Sequence, residues 1–116
     1  MKSMILLIQL LAGKPDYEPM ELVIDIQTPI EQCEWYYIEN DKLYDLGVPE
    51  YQGSKLVLYV QQYRDYEIVI NNHTIISITP MSDDIIDERD LSISAHTNYE
   101  FRHGVLVFEP LELTSK

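Results

Sequence analysis

A single cysteine, Cys33, is all the thiol chemistry in 116 residues, so neither an intrachain disulfide nor a thiolate metal cluster can be built. Such a chain suits a reducing interior, and the cytoplasm is the expected compartment. Basic residues are scarce as well. Eight Lys plus Arg stand against twenty Asp plus Glu, giving a formal net charge of −12 with His neutral. Phosphate backbones are bound by neutralising them with Lys and Arg, so this balance argues against direct nucleic-acid binding and against anionic membrane surfaces. Basic proteins are the partners that such a field attracts. A membrane-spanning run is missing too. The apolar stretch from Met4 to Ala12 is interrupted by Gln9 and falls short of the roughly 20 residues that cross a bilayer as a helix. It superficially resembles a secretory signal, yet no small-x-small cleavage site follows, and Lys14 stands where a lipid attachment would need cysteine. The expectation for Met4–Leu11 is a strand buried on both faces.

What the chain does have is enough apolar residue to fold. With 46% hydrophobic and 24% charged residues it lies outside the disordered regime, and its length suits one compact domain over 1–116. Apolar residues recur mostly at period two, separated by turn chemistry, which reads as mainly β. In MELVIDIQ, Leu22, Ile24 and Ile26 share one face while Glu21, Asp25 and Gln27 lie on the other. Asn40-Asp41 separates Cys33–Glu39 from Lys42–Leu46, and Asn71-Asn72 separates YEIVI from HTIISIT. Asparagine and aspartate tolerate the positive φ angles of short hairpin turns, so both are read as hairpins. KLVLYVQQY is a further strand, with Arg64-Asp65 as a tight connection to the next. LSISA alternates, Tyr99 and Phe101 alternate, and His103-Gly104 is a turn before VLVFEPLEL, where Pro110 marks an edge or a strand end. The fold class expected is a small single-domain antiparallel sandwich or barrel with at most one or two short helices. Two places invite helix: PIEQCEW, and SDDIIDERD, where Ser82 would cap, Asp83 and Asp84 would sit at the positive end, and Ile85, Ile86 and Leu91 would anchor.

Catalytic and metal motifs fail on their residues. GVPEYQGSK has five residues between its glycines instead of four, and Glu50 would face the phosphates, so it reads as a loop rather than a phosphate cradle. His96, Glu100 and His103 could share a face only on a helix, and their segment reads as strand and turn. His73 reads as a solvated turn residue. A calcium loop starting at Asp83 would put Ile85 at a ligand position and Glu88 where a glycine is required. Ser82, Ser92 and Ser94 have no nucleophile-elbow context, and Cys33 could form a dyad with one of three scattered histidines only by coincidence. No enzymatic activity, cofactor or metal is therefore expected.

Surface recognition remains. Tyrosines are concentrated in WYYIENDKLYDLGVPEY and LYVQQYRDY, interleaved with acids, and tyrosine serves both interfaces and sheet packing. Asp83, Asp84, Asp87, Glu88 and Asp90, with Tyr36, Tyr44, Asp45, Glu50 and Tyr51, are the residues expected to meet a partner. The leading expectation is a non-enzymatic acidic module binding a basic protein, as an inhibitor in a groove that otherwise takes nucleic acid. Small acidic inhibitors of DNA-processing enzymes resemble it in size and charge alone. The alternative is an assembly subunit, for example of a virion or surface array, forming homo-oligomers through edge strands and tyrosines.

Overall fold

The computed structural model describes residues 18–110. The expected strand at Met4–Leu11 and the end of the last segment lie outside them. The elements run β1 (Met20–Asp25), β2 (Cys33–Glu39), β3 (Lys42–Asp45), β4 (Glu50–Gln52), β5 (Lys55–Val60), β6 (Asp65–Ile70), β7 (Thr74–Pro80), a 3-10 turn (Glu88–Asp90), β8 (Leu91–Ser94), β9 (Tyr99–Arg102) and β10 (Val105–Phe108). They form two five-stranded sheets. Sheet I has the order β4-β5-β1-β10-β9 and sheet II the order β3-β2-β6-β7-β8. Both sheets are open, so the architecture is the sandwich and not the barrel. All pairings are antiparallel except β1 with β10, where Val23, Ile24 and Asp25 lie beside Val105, Leu106 and Val107 in parallel.

Period-two alternation decides what is buried. In β5, Leu56, Leu58 and Val60 point inward while Lys55, Val57 and Tyr59 do not; in β6, Tyr66, Ile68 and Ile70 point inward. With Leu22, Ile24, Leu106 and Phe108 from sheet I, and Trp35, Ile76, Ile78 and Leu91 from sheet II, these form one apolar cluster between the sheets. Each such aliphatic side chain contributes about 1.5–3 kcal/mol by leaving water. Trp35 stacks on Tyr66 with centroids 5.2 Å apart, and the Tyr66 hydroxyl accepts from Gln61 N at 2.8 Å, which satisfies the polar tip of a buried ring.

The turns follow their residues. Asn40 and Asp41 have φ of 54° and 63°, and His103 and Gly104 have 52° and 80°, so both pairs make two-residue turns with positive φ at each position. At the third hairpin, Asn71 and Asn72 also have positive φ, but His73 joins the turn and β7 begins at Thr74. Asn71 does more than turn. Its Oδ1 accepts from Glu31 N at 2.7 Å and Gln32 N at 3.0 Å, and its Nδ2 donates to Pro29 O at 3.0 Å.

Four expectations are corrected. PIEQCEW holds no helix: Pro29–Gln32 is an irregular crossing between sheets, pinned by Asn71, and Cys33 already belongs to β2. Arg64-Asp65 is not a tight turn, because β5 and β6 lie in different sheets and residues 61–64 carry the chain across. GVPEYQGSK is not wholly loop, since Glu50–Gln52 adds an edge strand to β5. SDDIIDERD forms only the 3-10 turn Glu88–Asp90, capped by Asp87 and not by Ser82, and Ile86 is 70% exposed where an anchor was expected.

Ile75 and Ile76 are chemically identical neighbours on β7, 47% and 1% exposed. Ile76→Ala is expected to lower stability by about 2–5 kcal/mol and Ile75→Ala by less than about 1 kcal/mol in urea denaturation; equal losses would contradict this assignment of faces. Asn71→Gly keeps a residue suited to positive φ but removes the clamp, so it is expected to cost about 1 kcal/mol or more, whereas Asn72→Gly is expected to be near neutral.

Candidate functional site

The register of sheet II aligns its outward side chains in rows. Asp45, Tyr36, Glu67, Ser77 and Ser94 follow one another across β3, β2, β6, β7 and β8. On one side of that row Glu34 stands opposite Val69; on the other, Ile38 stands between Leu43 and Asp65. Strands lie about 4.8 Å apart and same-face residues about 6.6 Å apart along a strand. Glu34, Asp45, Asp65 and Glu67 therefore share a patch roughly 10–13 Å across. No carboxylate in it is directly opposite another, because Tyr36, Ile38, Val69 and Ser77 occupy the intervening places. Like charges directly opposite would destabilise the pairing.

The Tyr36 hydroxyl lies among these acids and donates to Glu34 Oε1 at 2.9 Å. That hydrogen bond, then partial burial and the charges of Glu34, Asp45 and Glu67, hold its phenol above the ordinary tyrosine range, so it stays a neutral donor. Asp65 accepts from Thr79 Oγ1 at 2.6 Å. Among the described residues no Lys or Arg enters these rows. The described cations stand elsewhere beside acids. Arg64 lies 4.1 Å over the Tyr37 ring and 3.9 Å from Glu39; Arg89 pairs with Asp87 and Arg102 with Glu100. Lys42 is in register with Glu39 and Lys55 with Asp25.

The outer face of sheet I has a different character. Its central row is Glu50, Val57, Val23, Val105 and Arg102, and the next is Gln52, Lys55, Asp25, Val107 and Glu100. Asp25 there stands beside Lys55 and Glu100 pairs with Arg102, so two of its acids face a cation, while Glu50 and Glu21 stand opposite Val57 and Tyr59.

The expected partner-binding residues are thus not all brought together. Tyr36 and Asp45 share the outer face of sheet II. Tyr44 is on the opposite side of edge strand β3, stacked on Tyr37 at 4.8 Å. Glu50 is at the edge of sheet I, while Tyr51 turns toward the core and donates from its hydroxyl to Glu31 O at 3.2 Å. Asp83, Asp84, Asp87, Glu88 and Asp90 occupy the β7–β8 connection, next to the other edge of sheet II. Glu34, Asp65 and Glu67 complete the patch and are not among the expected partner-binding residues. Their alternation with Cys33, Trp35, Tyr66 and Ile68 marks each as outward, but only the pairing of β2 with β6 makes them neighbours.

Within the β7–β8 connection two acids are spent on structure. Asp87 accepts from Arg89 N at 2.8 Å and pairs with its guanidinium at 2.9 Å. Asp90 accepts from Ile86 N at 2.8 Å, Asp87 N at 3.1 Å and Ser82 Oγ at 3.1 Å. The Arg89 side chain and amide hold Asp87 below the usual carboxylate range, and the Ile86 and Asp87 amides do the same for Asp90. They are therefore not simply charges left for solvent.

Burial, with a smaller effect from neighbouring Glu34, pushes the Cys33 thiol up to about 11, leaving it protonated and unreactive at neutral pH. His96 lies in a loop, Glu100 on β9 beside Arg102, and His103 in a turn. No three His, Cys, Asp or Glu converge on a common metal position among the described residues, and no helix there is long and apolar enough to cross a membrane. Comparison with protein-family models, with curated proteins and with solved structures gives no match.

Because Asp87 and Asp90 have lowered pKa values in the folded chain, their contribution to stability is present above the unfolded carboxylate value near 4 and is lost as pH falls through the folded values. Acidification from pH 6 toward 3 is expected to loosen this connection, read as faster amide exchange, relative to each residue's intrinsic rate, at Ile86 and Asp87. At pH 7, Asp90→Ala should reproduce the loosening and Glu88→Gln should not; unchanged protection in Asp90→Ala would remove the structural role.

Proposed function

We propose that this protein is a non-enzymatic binding module that docks through the outer face of sheet II on a basic surface of a partner protein, occupying a groove that otherwise takes a nucleic-acid backbone. One observation carries the reading: Glu34, Asp45, Asp65 and Glu67 share a face whose rows contain no Lys or Arg among the described residues. On sheet I, by contrast, Asp25 and Glu100 each stand beside a cation.

Uncompensated carboxylates on a rigid sheet attract Lys and Arg over several ångströms and raise association rates. Duplex DNA carries one charge per roughly 1.7 Å of axis, denser than four carboxylates in such a patch, so the face would engage only part of a phosphate-binding groove. Tyr36 supplies contact area with a polar tip in the middle of the acids. Asp83, Asp84 and Glu88, on the β7–β8 connection, are available for a second zone of contact. A second reading, assembly of copies, is favoured by edge strand β3, whose four residues are all exposed. Its Leu43 is 57% exposed, and Val48, in the connection that follows, is 70% exposed.

The test is partner displacement. A partner captured from host extract and identified as a nucleic-acid-binding protein should lose its nucleic acid when this protein is added. The triple substitution Glu34→Gln, Asp45→Asn, Glu67→Gln should weaken that displacement at least about tenfold, and rising salt should weaken it for the unmodified chain. Displacement indifferent to both would count against the docking face. Light scattering separates the second reading, for which a concentration-dependent dimer lost on Leu43→Lys is the expected result.

A further inference from the structure

At the end of the sandwich where the β6–β7 turn lies, a cleft of about 390 Å³ opens between the sheets, within the size range of small-ligand pockets. Ile26, Ile76 and Phe108 form its apolar floor, and Glu31, Glu109 and His73 stand in its lining. No Lys or Arg lines it among the described residues.

The walls are held by hydrogen bonds. The Asn71 side chain clamps Glu31, Gln32 and Pro29, and Gln27 Nε2 donates to Phe108 O at 3.0 Å. Glu109 N donates to Asn98 O at 2.9 Å, and Glu109 O accepts from Thr97 Oγ1 at 2.9 Å. At both rim glutamates these bonds run through the backbone. Their carboxylates remain available to a ligand. The cleft also borders the docking face, because a second depression lined by Glu34 and Val69 shares Glu31, Gln32 and Asn72 with it.

We infer that this cleft takes an aliphatic chain ending in a cation, the side chain of an arginine or lysine presented by the basic partner. The inference rests on the docking reading for the source of that side chain. The recognition chemistry belongs to the cleft itself: methylenes lie on the isoleucine and phenylalanine floor while the cation meets Glu31 and Glu109. A neutral apolar occupant would remove water from both carboxylates without replacing it, which is unfavourable. An anionic one would be repelled.

The probe is n-butylguanidinium, the arginine side chain with a methyl group in place of Cα, with n-butylurea as the neutral isostere. In NMR titration of the full chain, n-butylguanidinium is expected to move the Ile76 methyl and Phe108 ring signals saturably, and n-butylurea to leave them in place at the same concentrations. Glu31→Gln with Glu109→Gln should weaken the binding about fivefold or more with an unchanged thermal midpoint. The outer-face triple variant should bind the probe as the unmodified chain does. Equal shifts from n-butylurea, indifference to the double substitution, or shifts confined to Tyr36 and Glu67 would each overturn the cleft assignment. The titration contains no partner, so its failure is distinguishable from failure of the displacement experiment.

Discussion

The structure depends on one demand: each sheet must cover one face with the other, so every second residue along the strands must be apolar. Leu22, Ile24, Leu56, Leu58, Ile68, Ile70, Ile76, Ile78 and Leu106 meet that demand at 0–1% exposure. Among the described residues no buried residue is charged, and the buried side-chain polar atoms all have partners. The charged residues among those described are consequently confined to the outer faces, edges and connections. Strand period then converts this into pattern, because the residue next to a core position points the other way.

The two outer faces use that freedom differently. On sheet I, Lys55 and Arg102 are interspersed with Asp25 and Glu100 around a valine row. On sheet II the same geometry assembles carboxylates, with a tyrosine, a valine, an isoleucine and a serine keeping them out of direct opposition. The repulsion this stores is modest at such spacing in water. A partner carrying Lys or Arg would relieve it. The tyrosines divide along similar lines: Tyr66 is core, Tyr37, Tyr51 and Tyr99 pack against it, and Tyr36 stands among the acids.

The connections between strands carry much of the positional information. Asn71 ties the β1–β2 crossing to the β6–β7 turn and thereby shapes one wall of the cleft. Asp90 gathers the amides of Ile86 and Asp87, and Met81 N donates to Asp90 O at 2.8 Å to close the loop at its base. An acid-rich loop with a net negative charge is stable because its carboxylates accept backbone hydrogen bonds, which favour the ionised form.

Local rules made the mainly β class, the inward faces and the hairpins at Asn40-Asp41 and His103-Gly104 legible in the amino-acid sequence, since alternation and positive-φ residues act within a few positions of themselves. The same rules misplaced the start of the acidic loop. Ser82 and Asp87 are both competent caps, and the choice between them depends on Asp90 folding back to receive the Ile86 and Asp87 amides. They also made Arg64-Asp65 a turn, because nothing local distinguishes a hairpin from a chain passing to the other sheet. What the sequence determined by itself is which residues face water and that their charge is strongly negative. Only the tertiary structure decided which acids stand together, since Glu34, Asp45 and Glu67 come from three strands and become neighbours through pairing that is set by the burial of their inward companions.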